Sequence, residues 1–182
     1  MPYTRADVAS LKAWAYGQPT AAARTQADVL LALGLGAGCT AADIAALVVD
    51  DIVVDEQGVL VQLAGERPRE VPVLFDYERP LAGVVEAGHP PGTPVFLPGR
   101  RRSKNLITGF TSRGGGEPGP NTHRMRSTWI VEHLVADVPI AVLMKAAGVD
   151  TVQGLTRYLA HIPDTDALRA RAALRGTARG RA

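Results

Sequence analysis

The chain has 182 residues, 46% of them hydrophobic and 21% charged, with a formal net charge of +2; this suffices to bury one core, and a single domain is expected. One cysteine, Cys39, excludes an intrachain disulfide, and no apolar run approaches the roughly 18 to 20 residues that span a bilayer. The apolar stretch at 29–35 lacks a basic leader and cleavage site, so no secretory signal is read and a cytoplasmic protein is expected.

Residues 4–15 read as a first helix, with Thr4 as N-cap and Val8, Leu11, Trp14 and Ala15 at helical spacing. An alanine- and leucine-rich second helix over 21–35 stops in the glycines at 34, 36 and 38. Thr40 caps a third helix, with Asp43 completing a variant of the capping box. The period then becomes strand-like at 52–54, 59–63 and 70–74, split by turn chemistry at 55–58 and 64–68, which predicts three antiparallel strands. Further helices are expected over 77–87, 103–112, 121–134, 139–147 and 152–162, and over the last residues as far as 174. Between them lie a short extended piece at 94–97 and a glycine-rich flexible segment at 114–120. The expected architecture is therefore mixed, mainly α with a small three-stranded antiparallel sheet, forming one domain over 1–175 with a disordered basic tail at 176–182.

Charge is unevenly spread. From 100 to 126 the chain carries Arg100, Arg101, Arg102, Lys104, Arg113, Arg124 and Arg126 against the single acid Glu117, whereas Asp43, Asp50, Asp51, Asp55 and Glu56 cluster earlier. A local basic face is what phosphate neutralisation requires, and the same residues also suit a solvated loop. Within this stretch His123 and Arg126 form His-x-x-Arg at a helix start, and Tyr158 follows about thirty residues later. Arginine's planar fork fits two phosphate oxygens, histidine moves protons, and a phenol can attack phosphorus to form a covalent ester. Each has a plainer reading too: a helix-start cap for His123, an ion pair with Glu132 or Asp43 for Arg126, and a half-buried core tyrosine for Tyr158. His89, His133 and His161 make no metal-ligand pattern, so no metal or other cofactor is expected.

The order of helices, three-stranded sheet, more helices, His-x-x-Arg and late tyrosine resembles the catalytic domain of tyrosine recombinases, the family that includes phage integrases. Residues 31–52, above all Gly38-Cys39-Thr40-Ala41-Ala42-Asp43-Ile44, are similar to the family's first box, Thr-Gly-Leu-Arg-x-x-Glu-Leu. Arg69-Glu70-Val71-Pro72-Val73 resembles the third strand, Arg-x-Val-Pro-Leu; Asn121-Thr122-His123-Arg124-Met125-Arg126 resembles the second box; and Ala147-Gly148-Val149 stands in the place of Leu-Gly-His. The resemblance implies that Tyr158 is the nucleophile position and that His123 and Arg126 are retained catalytic positions. It places Thr40 where the first arginine belongs, Ala64 at or near the sheet lysine, and Val149 at the last histidine. In the implied mechanism the tyrosine attacks a DNA phosphate held by two arginines while lysine and histidine manage protons, leaving a 3′-phosphotyrosyl link and a free 5′-hydroxyl. Losing one charged donor of that kind costs about 10² to 10³ in rate, and losing a proton donor about 10² to 10⁴.

Double-stranded DNA is the expected partner, met by Arg67, Arg100, Arg101, Arg102, Lys104 and Arg124. An active recombinase, or self-association through a helix at 164–174, is a further expected partner, and no membrane is. The family usually carries an N-terminal core-binding domain that is not expected here. Three functions fit the sequence: a DNA-binding or accessory factor in recombination or integration, from a mobile genetic element, whose site is degenerate; an active breaking-and-rejoining enzyme with Arg67 or Lys104 as substitute cations; and a protein-interaction module that has lost DNA.

Overall fold

A computed structural model describes residues 1–112, 119–164 and 166–176. Helix α1 (Arg5–Tyr16) starts at Thr4, whose hydroxyl accepts from the Asp7 amide while the Asp7 carboxylate accepts from the Thr4 amide, a reciprocal capping box. Helix α2 (Ala21–Leu31) runs on into a π-helical turn at Ala32–Gly36, so the single helix expected over 21–35 is widened at its end. Helix α3 (Ala41–Ala46) repeats the capping box at Thr40 and Asp43.

The sheet has the order β1 (Ile52–Asp55), β2 (Gly58–Leu63), β3 (Arg69–Pro72), antiparallel throughout. Val61 opposes Ile52 on one side and Val71 on the other, and all three are buried, as period-2 patterning requires. Strand β3 begins at Arg69, one residue earlier than the sequence pattern suggests, because Arg69 pairs with Leu63 across the hairpin. Helix α4 (Glu78–Glu86) follows a 3-10 turn at Phe75–Tyr77. The extended piece near 94 forms a bridge between Val48 and Pro94.

Helix α5 (Leu106–Thr111) is anchored by Phe110, which meets Trp14 and Phe96 edge-on at 6.1 and 5.4 Å, and it packs beside α3. Helix α6 (Thr122–Val135), capped by the Asn121 side chain, buries Met125, Trp129 and Ile130 against the π turn. Gly38, at φ +60°, lies so close to Trp129 that a Cβ there would stand 2.5 Å from the ring; only glycine meets both demands. Helix α7 (Ile140–Ala147) ends at left-handed Gly148, α8 (Gln153–Leu159) carries Tyr158, and α9 (Ala167–Arg175) buries none of its side chains. The expectations for Arg113, most of the glycine-rich segment and the tail beyond 176 lie outside the described residues. None of the described helices is long and apolar enough to cross a membrane.

Candidate functional site

A cleft of about 600 Å³ opens between the N-terminus of α3, the turn joining β2 to β3, and the end of α7. It gathers Thr40, Ala64, Arg67, Arg69, Arg126 and Gly148. Thr40 and Ala64, far apart in sequence, thus line one cleft together with Arg126.

Three guanidiniums converge on the last carbonyls of α7. Arg69 Nε donates to the Ala146 carbonyl at 3.1 Å, Arg126 Nη2 donates to that of Ala147, and Arg67 Nη1 donates to that of Gly148 at 2.6 Å. The C-terminal end of a helix presents unpaired carbonyls and the negative pole of its dipole, so cations gather there with favourable energy. Arg126 Nη1 also donates to the Gly38 carbonyl at 2.6 Å, and Arg69 Nη2 to Asp43 Oδ2 at 2.7 Å. The Arg69–Asp43 pair is nearly sealed, with side chains 7% and 11% exposed.

Among the described residues Arg126 therefore takes no acid partner, although an ion pair with Glu132 or Asp43 was one expectation. Asp43 is already held by Arg69 and by its own cap, and Arg126 bonds two carbonyls instead. Burial first, and the positive charge of Arg69 second, push its guanidinium below the ordinary arginine value; Tyr158, Asp43 and Cys39 act in the opposite sense. Both terminal nitrogens of Arg126 are thus committed to carbonyls of different elements.

Tyr158 is 4% exposed. Its hydroxyl accepts from Arg157 Nη2 at 2.7 Å, and the same guanidinium lies 4.8 Å from the ring centre. His123 is exposed on the first turn of α6, one turn before Arg126 and on the same face. Val149 is half-buried, its side chain filling the space where a Cβ on Gly154 would stand. The position implied for a proton-managing histidine is thus filled by an aliphatic group in van der Waals contact with α8.

The remaining basic residues divide. Arg124 stacks 3.9 Å from the Tyr3 ring centre, donates to the Met1 carbonyl at 3.2 Å and pairs with Asp7 at 3.4 Å, which fastens the N-terminal segment to α6. Arg102 donates to the Phe96 and Leu97 carbonyls at 2.9 and 2.7 Å, and burial lowers its pKa. Arg100, Arg101 and Lys104 are exposed. Sequence reasoning passed over Asp150, which pairs with Arg67 at 2.9 Å, and Lys145, which lines with Ala64 a second groove adjoining the first. Neither stands in a motif; only the packing of α7 against β3 brings them there. Among the described residues no cluster of His, Cys, Asp or Glu suits a metal ion.

The fold as a whole matches XerA recombinase over 97% of this chain and 64% of that one, with a TM-score of 0.68 at 15% identity. The chain has the tyrosine recombinase catalytic-domain fold. It is similar also to the XerH site-specific recombinase in its post-cleavage complex with a palindromic difH substrate (TM-score 0.65, 12% identity, 95% of this chain and 51% of that one). The integrase of transposon Tn1549, in complex with circular-intermediate DNA, matches at a TM-score of 0.60 and 15% identity, over 96% and 64% of the two chains. The chain thus spans between 51% and 64% of the length of these recombinases. No protein-family profile matches the sequence, and no curated protein sequence does.

Proposed function

We propose that this protein binds duplex DNA through the recombinase fold and has lost efficient strand cleavage, serving as a DNA-binding or accessory factor in recombination or integration. The observation that carries this reading is the make-up of the cleft. Arg126, Thr40 and Ala64 line it, and by the resemblance Thr40 and Ala64 stand for the other arginine and the sheet lysine, as Val149, next to Gly148 in sequence, stands for the last histidine. Thr40 spends its hydroxyl on capping α3, Ala64 has no proton to give, and Val149 is packed against α8. Tyr158, the nucleophile position by resemblance, is buried with its hydroxyl already engaged. The recombinases of similar fold that were solved on DNA support duplex DNA as the ligand class. Exposed Arg100, Arg101 and Lys104, on the loop that leads into α5, supply further cations to a phosphate backbone.

A second reading, an active breaking-and-rejoining enzyme, is favoured by one observation: Arg67 and Lys145 both lie beside Ala64. Arginine does not release a proton at working pH, so Lys145 would have to serve the leaving oxygen. A nicked suicide duplex separates the two readings. We expect salt-dependent retention of the duplex with no covalent adduct; an adduct abolished by Tyr158→Phe would establish the active enzyme. Absence of duplex binding at low salt would leave the protein-interaction module.

A further inference from the structure

The geometry points to Asp150 as an internal stand-in for a DNA phosphate at Arg67, so that this residue is a gated phosphate-binding position on the lip of the cleft. The inference rests on the duplex-binding reading above and adds to it the acid that competes with DNA. Of the three arginines on the α7 terminus, two are committed. Arg69 has three separate partners, with its side chain 7% exposed, and Arg126 spans two carbonyls from different elements. Arg67 differs: its side chain is 54% exposed and its anionic partner Asp150 is 73% exposed.

Arg67 Nη1 holds the Gly148 carbonyl while Nη2 holds Asp150 Oδ2 at 2.9 Å. The guanidinium fork thus keeps one tine on the backbone and offers the other to whichever anion is present. A phosphodiester oxygen carries charge and acceptor geometry similar to a carboxylate oxygen, so it can replace Asp150 without disturbing the bond to Gly148. Exposed ion pairs of this kind contribute little, which makes the exchange nearly neutral for the protein fold. On the DNA side it adds one charge-assisted bond. The same contact ties the β2–β3 turn to the loop after α7, so the exchange is read directly at the position where Ala64 leaves the turn without an ammonium.

The test is a double-mutant cycle on duplex affinity with Asp150→Asn and Arg67→Gln, each measured across a salt series. Asp150→Asn is expected to tighten binding about two- to fivefold at low salt. Arg67→Gln is expected to weaken it and to lower the salt slope by about one. In the Arg67→Gln background, Asp150→Asn is expected to do nothing, because its effect runs through that guanidinium. A gain of equal size in both backgrounds would make Asp150 a general repulsive charge and overturn the inference. So would no gain in either; both results leave the duplex-binding reading standing. If none of the four proteins retains duplex, that reading falls together with this one. Binding that appears only on Asp150→Asn would be the strongest support for both.

Discussion

Thr40, the position where the family resemblance implies an arginine, caps α3. Its hydroxyl accepts from the Asp43 amide at 3.1 Å while Asp43 holds the Thr40 amide at 2.8 Å. Removing such a cap costs about 1 kcal/mol, so Thr40→Ala should lower the urea midpoint accordingly. Thr40→Arg forfeits the same cap, and with Ala64 and Val149 still in place it should yield a less stable protein that forms no adduct. Asp43 carries more, because it closes the capping box and neutralises the enclosed Arg69. Breaking a buried pair by removing one partner costs about 3–5 kcal/mol; Asp43→Ala should therefore approach global unfolding in a thermal melt. Cys39 offers a convenient probe. Burial first, and the Asp43 carboxylate second, push its thiol from 9.0 to about 12. The folded state thus keeps a proton that the unfolded chain gives up, so this contribution to stability is present below pH 9 and is lost as pH rises towards 12. Thiol reagents at neutral pH should label Cys39 only at the unfolding rate; prompt labelling of native protein would contradict its enclosure. Thr40, Asp43 and the cap between them were legible in the sequence, since a capping box is local chemistry. The Arg69–Asp43 pair was not, because its two ends lie on β3 and α3 and nothing in either motif names the other.

Among the elements, α7 organises the site. Its C-terminus gathers Arg67, Arg69 and Arg126, and Gly148 makes that possible with φ +59° and with the Arg69 stem only 3.2 Å from where a Cβ would stand. The left-handed conformation costs an ordinary residue about 1–2 kcal/mol, and the crowding adds to it. Gly148→Ala should lower stability by at least that much in urea denaturation, and weaken duplex binding beyond what the stability loss explains, since it displaces the carbonyl that holds Arg67. The helices themselves read well from periodicity and caps: α1, α3, α6 and α7 start within a residue or two of their sequence signals. Strand β3 read less well at its ends, because pairing of Arg69 with Leu63, and not side-chain type, sets where it begins. The π turn after α2 had no period of its own; within it Gly34 and Gly36 let Met125 and Tyr77 approach the backbone closely. The convergence of three arginines on one helix end is a product of packing, and no spacing in the chain announces it.

At the scale of the whole molecule, a net charge of +2 conceals a division of labour among the cations. Arg102 braces the loop that leads to α5, and Arg124 fastens the N-terminal segment, whereas Arg100, Arg101 and Lys104 extend into solvent. Arg100→Gln with Arg101→Gln should weaken duplex binding and flatten its salt dependence by about two phosphates' worth while leaving the melting temperature unchanged. Arg102→Gln should do the reverse, lowering thermal stability first. The sequence placed all of these in one basic run; only their hydrogen bonds separate them. What unites the molecule is a recombinase catalytic-domain fold with Arg126 in its cleft and Tyr158 buried on α8. The most direct measurement is incubation with a nicked suicide duplex under conditions where the protein retains that duplex, followed by denaturing electrophoresis. Retention with no covalent species above the Tyr158→Phe background is the expectation. A protein–DNA adduct that forms with the native chain and vanishes with Tyr158→Phe would contradict it.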